Sequence, residues 1–319
     1  MYKPANMSLW QGRVDEFEGD AGLRWHQWIK PFKPGVTPGV TIVGFASDAG
    51  VIRNQGRPGA CQGPVAARRT LANLPNRLSR PLYDAGDVIC PGDQLEFAQL
   101  TLACHVEMLL AARHFPLVIG GGHEVAWGSY QGLAKYAEGC HQQPVIGIIN
   151  FDAHFDLRQD AKPSSGTPFR QIAEYCQAQQ TPFKYCCLGI SEASNTLALF
   201  NRAQQLEVSY RLDRDTNWQQ LPAIEAQLDQ FIQQCDWLYL TVCLDVFPSA
   251  VAPGVSAPAV CGVELSLIEH LIQNKIKPAI GANGFPKLKL ADIAEFNPEF
   301  DRDQQTARLV ARLTDLITR

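Results

Sequence analysis

Residues 145–156 read VIGIINFDAHFD: a run apolar but for Asn150, then two aspartates flanking a histidine at alternate positions. So unbroken an apolar run marks a strand buried on both faces, and such strands belong to parallel sheets covered by helices. Ligands of these sheets bind beyond the carboxyl ends of the strands. Asp152, His154 and Asp156 fall at that end, and a period of two would set all three on one face. Metal ligation is one use of two carboxylates and an imidazole so placed, and a solvated polar strand end is the other.

Further apolar runs at 40–46, 116–119, 184–189, 238–244, 278–283 and 290–296 predict the remaining strands. Between them, 95–114, 125–136, 168–177, 218–235, 265–274 and 303–318 have the length and spacing of amphipathic helices. The alternation predicts an α/β protein with a central, mostly parallel sheet between two helical layers. No linker, repeat or shift in composition divides the chain. Residues 1–319 are therefore expected to form one domain, with 1–38, which carries Pro31, Pro34 and Pro38, as an N-terminal arm.

Composition removes several function classes. Of 319 residues 46% are hydrophobic and 19% charged, which supports a large core and excludes disorder. Against 28 Lys and Arg stand 32 Asp and Glu, a net charge of −4, so no basic field gathers nucleic acid or an anionic membrane surface. No apolar stretch approaches the roughly 20 residues of a membrane span. The first 30 residues hold Asp15, Glu16, Glu18 and Asp20 and no apolar signal core, so a cytoplasmic protein is expected. Ten cysteines without a C-x-x-C pair support neither a zinc ribbon nor a disulfide framework.

Two more strand ends carry ligand-type residues. After the run at 116–119 comes GGGHE, residues 120–124, where glycines let the backbone pass close to a site and His123 opens a helix. The run at 238–244 brings Cys243 and Asp245 to one face. If these strands neighbour the one before Asp152, six donors converge, more than one closed tetrahedral zinc site uses. Two divalent ions sharing ligands, about 3.5–4 Å apart, account for such a set and imply hydrolysis.

Taken together, GGGHE at 120–124, FDAHFD at 151–156, Asp245 followed by APG at 252–254, and AEFNP at 294–298 resemble the arginase/agmatinase ureohydrolases over nearly the whole chain. WQGRVD at 10–15, RWHQ at 24–27, GVIRNQGRPGA at 50–60, SSGTPFRQ at 164–171 and APGVSAPA at 252–259 are similar to the formimidoylglutamase subgroup. The resemblance implies an arginase-like three-layer α/β/α fold and two Mn²⁺ ions held by His123, Asp152, His154, Asp156, Cys243 and Asp245. It implies that hydroxide attacks the formimidoyl carbon of N-formimidoyl-L-glutamate, giving L-glutamate and formamide in histidine degradation. Asp156 would orient the water and relay its proton, and Glu295 would pair with the cationic amidine. The pool for the substrate's carboxylates is Arg53, Asn54, Arg57, Ser164, Ser165 and Arg170. Phe169 stands where arginase itself would have an imidazole, which argues against arginine. The partner is a small molecule, and because oligomeric state varies in the family a homo-oligomer stays open.

Cys243 departs from the family pattern, which has an aspartate there bridging both ions. A thiolate would restore the charge of a fourth carboxylate, and its softness would favour Zn²⁺ or Fe²⁺ over Mn²⁺. Three consequences stay open: an active enzyme with a sulfur ligand, a weakened second ion, or a redox gate with another thiol such as Cys61 or Cys261. The alternatives in function are another ureohydrolase, such as an agmatinase or guanidino-acid hydrolase, and a metal-binding pseudoenzyme.

Overall fold

Most of the apolar runs pair with one another in a single ten-stranded sheet. The computed structural model describes residues 1–319. Its strands are β1 (Tyr2–Lys3), β2 (Lys30–Pro31), β3 (Val40–Ala46), β4 (Leu82–Ile89), β5 (Phe115–Ile119), β6 (Ile146–Phe151), β7 (Lys184–Ile190), β8 (Ser209–Leu212), β9 (Trp237–Cys243) and β10 (Leu288–Ala294). They lie in the order β1-β4-β3-β5-β10-β9-β6-β7-β8, with β2 also on β4, and only β1 runs antiparallel to its neighbour.

The helices are α1 (Trp25–Trp28), α2 (Ala49–Arg53), α3 (Gly63–Leu71), α4 (Leu95–Ala111), α5 (Val125–Glu138), α6 (Pro168–Gln179), α7 (Leu197–Gln205), α8 (Leu221–Gln233), α9 (Leu265–Leu271) and α10 (Gln305–Thr318). Successive strand residues feed two cores. Ile42, Leu117, Ile149 and Ile293 pack with residues of α3, α8, α9 and α10. Val43, Val118, Ile148 and Leu290 pack with residues of α4, α5, α6 and α7. Each such aliphatic side chain contributes about 1.5–3 kcal/mol on burial, so polar residues are few in these strands and find partners there, as Asn150 does in Asp152 and Tyr185. No helix is long and apolar enough to cross a membrane.

The run at 278–283 is not a strand. It lies in turns, touched only by an isolated bridge between Ile280 and Pro286, because Gly281, Asn283 and Gly284 are turn formers beside just two large apolar residues. The helix expected at 265–274 changes pitch after α9 into a π-helical turn, Ile272–Ile276. Strand β4 escapes a search for apolar runs because Asp84, Gly86 and Asp87 interrupt it. Its charges are matched: Arg68, 1% exposed, donates to Asp84 at 2.8 and 2.9 Å and to Asp87 at 2.6 Å. The segment 1–38 lies against this edge. Trp10 and Trp25 are buried in the core, and the Trp10 indole N–H donates to Asp84 at 2.7 Å.

Candidate metal centre

Four adjacent parallel strands, in the order β5, β10, β9, β6, finish along one edge, with Ile293 opposite Ile119, Ala294 opposite Cys243 and Val242 opposite Phe151. The chain leaving them delivers His123, Glu295, Cys243 with Asp245, and Asp152 with His154 and Asp156. Strands β5 and β6 are not themselves neighbours. The sheet winds β10 and β9 between them, which sets Glu295 in the middle of the row.

Strand β6 stops at Phe151, so alternation along a strand is not what gathers the next five residues. A loop does it. The Phe155 N–H donates to Asn195 Oδ1 at 3.0 Å, and Asn195 Nδ2 donates to the Ala153 carbonyl at 2.8 Å. Asp156 then turns through left-handed backbone at φ +50°, and Glu295 does the same at +70°. Non-glycine residues held there cost about 1–3 kcal/mol, and such strain collects at functional sites. The glycines of residues 120–122 serve close approach: a Cβ on Gly121 would lie 2.1 Å from the Ser47 carbonyl oxygen, and one on Gly122 2.1 Å from Glu124 Oε2.

Two overlapping sets of donors result. His123 Nδ1 lies 2.8 Å from Asp152 Oδ2 and 2.9 Å from Asp156 Oδ2. His154 Nδ1 lies 3.1 Å from Asp245 Oδ2 and 3.5 Å from Asp152 Oδ1. The ligating atoms of His123, Asp152 and Cys243 fall within 4.8 Å of one another, and so do those of Asp152, His154 and Asp245. Asp152 belongs to both sets, and Cys243 only to the first. All are buried except His154, whose side chain is 24% exposed.

These residues fit a pair of divalent ions. His123 Nδ1 is buried without a hydrogen bond, while Nε2 lies 3.0 Å from Thr241 Oγ1. An Nε2–H donated to Thr241 leaves the Nδ1 lone pair facing the carboxylates, the orientation that outer hydrogen bonds impose on metal-binding histidines. The electrostatics call for positive charge. Burial opposes protonation of His123, but Asp152 and then Asp156 raise its pKa well above the usual imidazole value. Burial, then Asp152, pushes Asp156 above the usual carboxylate range. Burial, then Asp152, Asp245 and Glu295, pushes the Cys243 thiol far up. Burial lifts Glu295 to about 8. Glu295 accepts from the His123 N–H at 2.9 Å and from the Ser256 hydroxyl, and it forms no ion pair within the chain.

Glu124, fully buried, accepts from the Ser47 hydroxyl at 2.9 Å and the Gly50 N–H at 3.0 Å, and so ties α2 to the exit of β5. Only its adjacency to His123 marks it in the sequence. Phe169 is fully buried, edge-on to His123 at 5.3 Å and stacked on Tyr185 at 4.3 Å, so it walls the first donor set.

Of the residues offered for the substrate's tail, Asn54 and Ser165 come together, with Asn54 Nδ2 donating to Ser165 Oγ at 3.1 Å. Ser164 caps its own loop, its hydroxyl accepting from the Gly166 N–H at 3.3 Å. The three arginines have other partners. Arg53 is held by Asp93 at 2.5 Å and Glu96 at 2.7 Å, and Arg170 by Glu174 at 2.6 Å. Arg57 donates to the Val255 and Ser256 carbonyls and lies 3.9 Å over the Phe300 ring. Arg158, two positions past Asp156, has no ion pair or side-chain hydrogen bond and lies over Gly166 beside Asn54. A Cβ on Gly166 would meet Arg158 Cδ at 2.7 Å and Asn54 Nδ2 at 3.2 Å. Its signal in the sequence is its distance of two residues from the FDAHFD motif.

A mostly parallel sheet between two helical layers that sets two donor sets with a common carboxylate beyond its strand ends is the framework of a binuclear metal hydrolase. The chain belongs to the Arginase family, whose profile matches residues 38–318. It is 52% identical over 315 residues to a formimidoylglutamase of Aeromonas hydrophila, covering 98% of this chain and 97% of that one. To a formimidoylglutamase of Aliivibrio fischeri it is 50% identical over 327 residues, covering 97% and 93%. In fold it is similar to the crystal structure of formimidoylglutamase from Bacillus subtilis, with TM-score 0.77, 22% identity and coverage of 91% and 90%. It is likewise similar to Trypanosoma cruzi formiminoglutamase with Mn²⁺, with TM-score 0.74, 24% identity and coverage of 88% and 93%.

Proposed function

We propose that this chain hydrolyses N-formimidoyl-L-glutamate to L-glutamate and formamide, as a cytoplasmic enzyme of histidine degradation acting through a pair of divalent ions. One observation carries it: two donor sets joined at Asp152, in a chain half identical over nearly its full length to formimidoylglutamases. His123, Asp152, Asp156 and Cys243 would hold one ion, and Asp152, His154 and Asp245 the other, with Mn²⁺ the first choice and Fe²⁺ or Zn²⁺ the alternatives that a sulfur ligand favours. When bound, the pair supplies a strong local positive charge and lowers the pKa of water toward neutrality.

The chain's own groups do the rest. Glu295, held by the His123 N–H and Ser256 but without a cation of its own, binds the amidinium end and orients the carbon for attack. Asp156 accepts the proton of the attacking water and passes it to the nitrogen of the departing glutamate, and its left-handed backbone fixes the direction of that carboxylate. Arg158, with Asn54 and Ser165, receives the substrate's carboxylates.

Formamide and urea release distinguish the substrates. Protein loaded under reductant with Mn²⁺, Fe²⁺ or Zn²⁺ is offered formimidoylglutamate, agmatine, arginine and guanidinobutyrate. Formamide from the first, above the metal-only rate and ahead of urea from the others, is expected. Preference for a guanidino compound, or no turnover with any ion, rejects the proposal.

A further inference from the structure

At the edge of the sheet opposite the donor sets, where β5, β9 and β10 begin, lies a cavity of about 690 Å³. Arg80, Arg113, Lys277, Lys289 and Arg319 line it, and no Asp or Glu side chain does. Arg80, Arg113 and Lys289 form no ion pair. Lys277 donates to the main-chain oxygens of Leu316 at 2.6 Å and Arg319 at 3.0 Å. The one carboxylate close by, Asp315, is taken by Arg319 at 3.0 Å.

Aromatic rings stand among these cations. The Arg80 guanidinium is 5.3 Å from the centre of Phe115, and the Lys289 ammonium 5.7 Å from that of Trp237. Trp237 in turn stacks on Tyr136 at 5.4 Å. Phe285 leaves 65% of its surface exposed. Cation–π contacts soften positive charge without cancelling it, so Arg80, Arg113 and Lys289 share one concavity with no carboxylate side chain paired to any of them. Burial holds both lysines below the usual ammonium range, and Arg319 and Arg80 add to it at Lys277.

Planar guanidinium forks and point-charge ammonium groups together suit a ligand with several phosphate oxygens. The volume falls within the ~300–1,000 Å³ of small-molecule sites, and the rings offer apolar area to a flat group. We propose that this cavity is a second ligand site, separate from the hydrolytic centre, for a small polyanion carrying an unsaturated ring, of the nucleoside diphosphate kind.

ADP is the probe, titrated calorimetrically at low salt into the metal-loaded full-length protein, with inorganic pyrophosphate and L-glutamate alongside. One ADP per chain is expected, bound more tightly than pyrophosphate or glutamate. Lys289→Glu and Arg113→Ala should each weaken it about tenfold or more, the loss of one charge-assisted contact. Arg113 is exposed, so its variant keeps the test valid if Lys289→Glu disturbs folding, and circular dichroism of both reports that. ADP binding that neither variant changes belongs to the metal centre and overturns the proposal. So does the absence of binding, or pyrophosphate or glutamate binding as tightly as ADP.

Discussion

Replacing Cys243 by Asp should separate the metal-free and metal-loaded proteins more sharply than any other single change. The thiol is 1% exposed, and Asp152, Asp245, Glu295 and Asp156 all raise its pKa, so without ions it is neutral among carboxylates. Cys243→Asp adds another carboxylate to that group with only His123 and His154 to balance it. An uncompensated buried charge costs about 3–5 kcal/mol. At about 2.1 cal/mol/K of unfolding entropy per residue, a chain of 319 residues shifts by about 1.5 °C per kcal/mol, so that is roughly 4–8 °C in Tm. Divalent ions should reverse the order, because a carboxylate is a better partner than a thiol for Mn²⁺, and a ligand bound only by the folded state stabilises it by about 2.7 kcal/mol at a hundredfold excess over Kd. Calorimetric melting of both proteins, after chelation and then with Mn²⁺, reads both terms. The reasoning is refuted if metal-free Cys243→Asp melts at or above the parent, or if Mn²⁺ shifts the two equally.

Asp156→Gly should relieve the left-handed backbone and raise the stability of the metal-free protein by about 1 kcal/mol in urea unfolding, while turnover falls at least about 100-fold; a loss of stability contradicts the strain. Arg68→Ala leaves Asp84 buried without its cation and should cost about 3–5 kcal/mol by the same measurement. A cost under about 1 kcal/mol would contradict a buried ion pair there. Arg158→Ala should raise KM for formimidoylglutamate about 10–100-fold with kcat little changed, the loss of one charged hydrogen bond worth about 1.5–3 kcal/mol. Unchanged KM would place the carboxylates elsewhere.

Strands β3, β5, β6, β7 and β9 are legible in the sequence because both their faces are buried and their residues are mostly apolar. Strand β4 is not, because its charges are neutralised by Arg68 from a helix outside the strand. Local pattern cannot report a partner supplied by another element. The same limit explains the arginines: Arg53 reads as a free cation until Asp93 and Glu96, 40 and 43 residues away, are seen beside it. The six donor residues stand out because each lies at or just past a strand end, and parallel strands set their ends on one edge. Which strands are neighbours is fixed by how the sheet winds, and so the place of Glu295 between the two donor sets emerges only in three dimensions.

The carboxylate of Asp152 is common property of both donor sets, so neither position can be filled, emptied or rearranged without the other registering it. The affinity for the second ion should therefore depend on whether the first is in place, and a chelator titration followed by metal analysis should not fit two independent sites. Dependence of turnover on manganese supply would then depart from a simple one-site curve, within one polypeptide and with no assembly of subunits required.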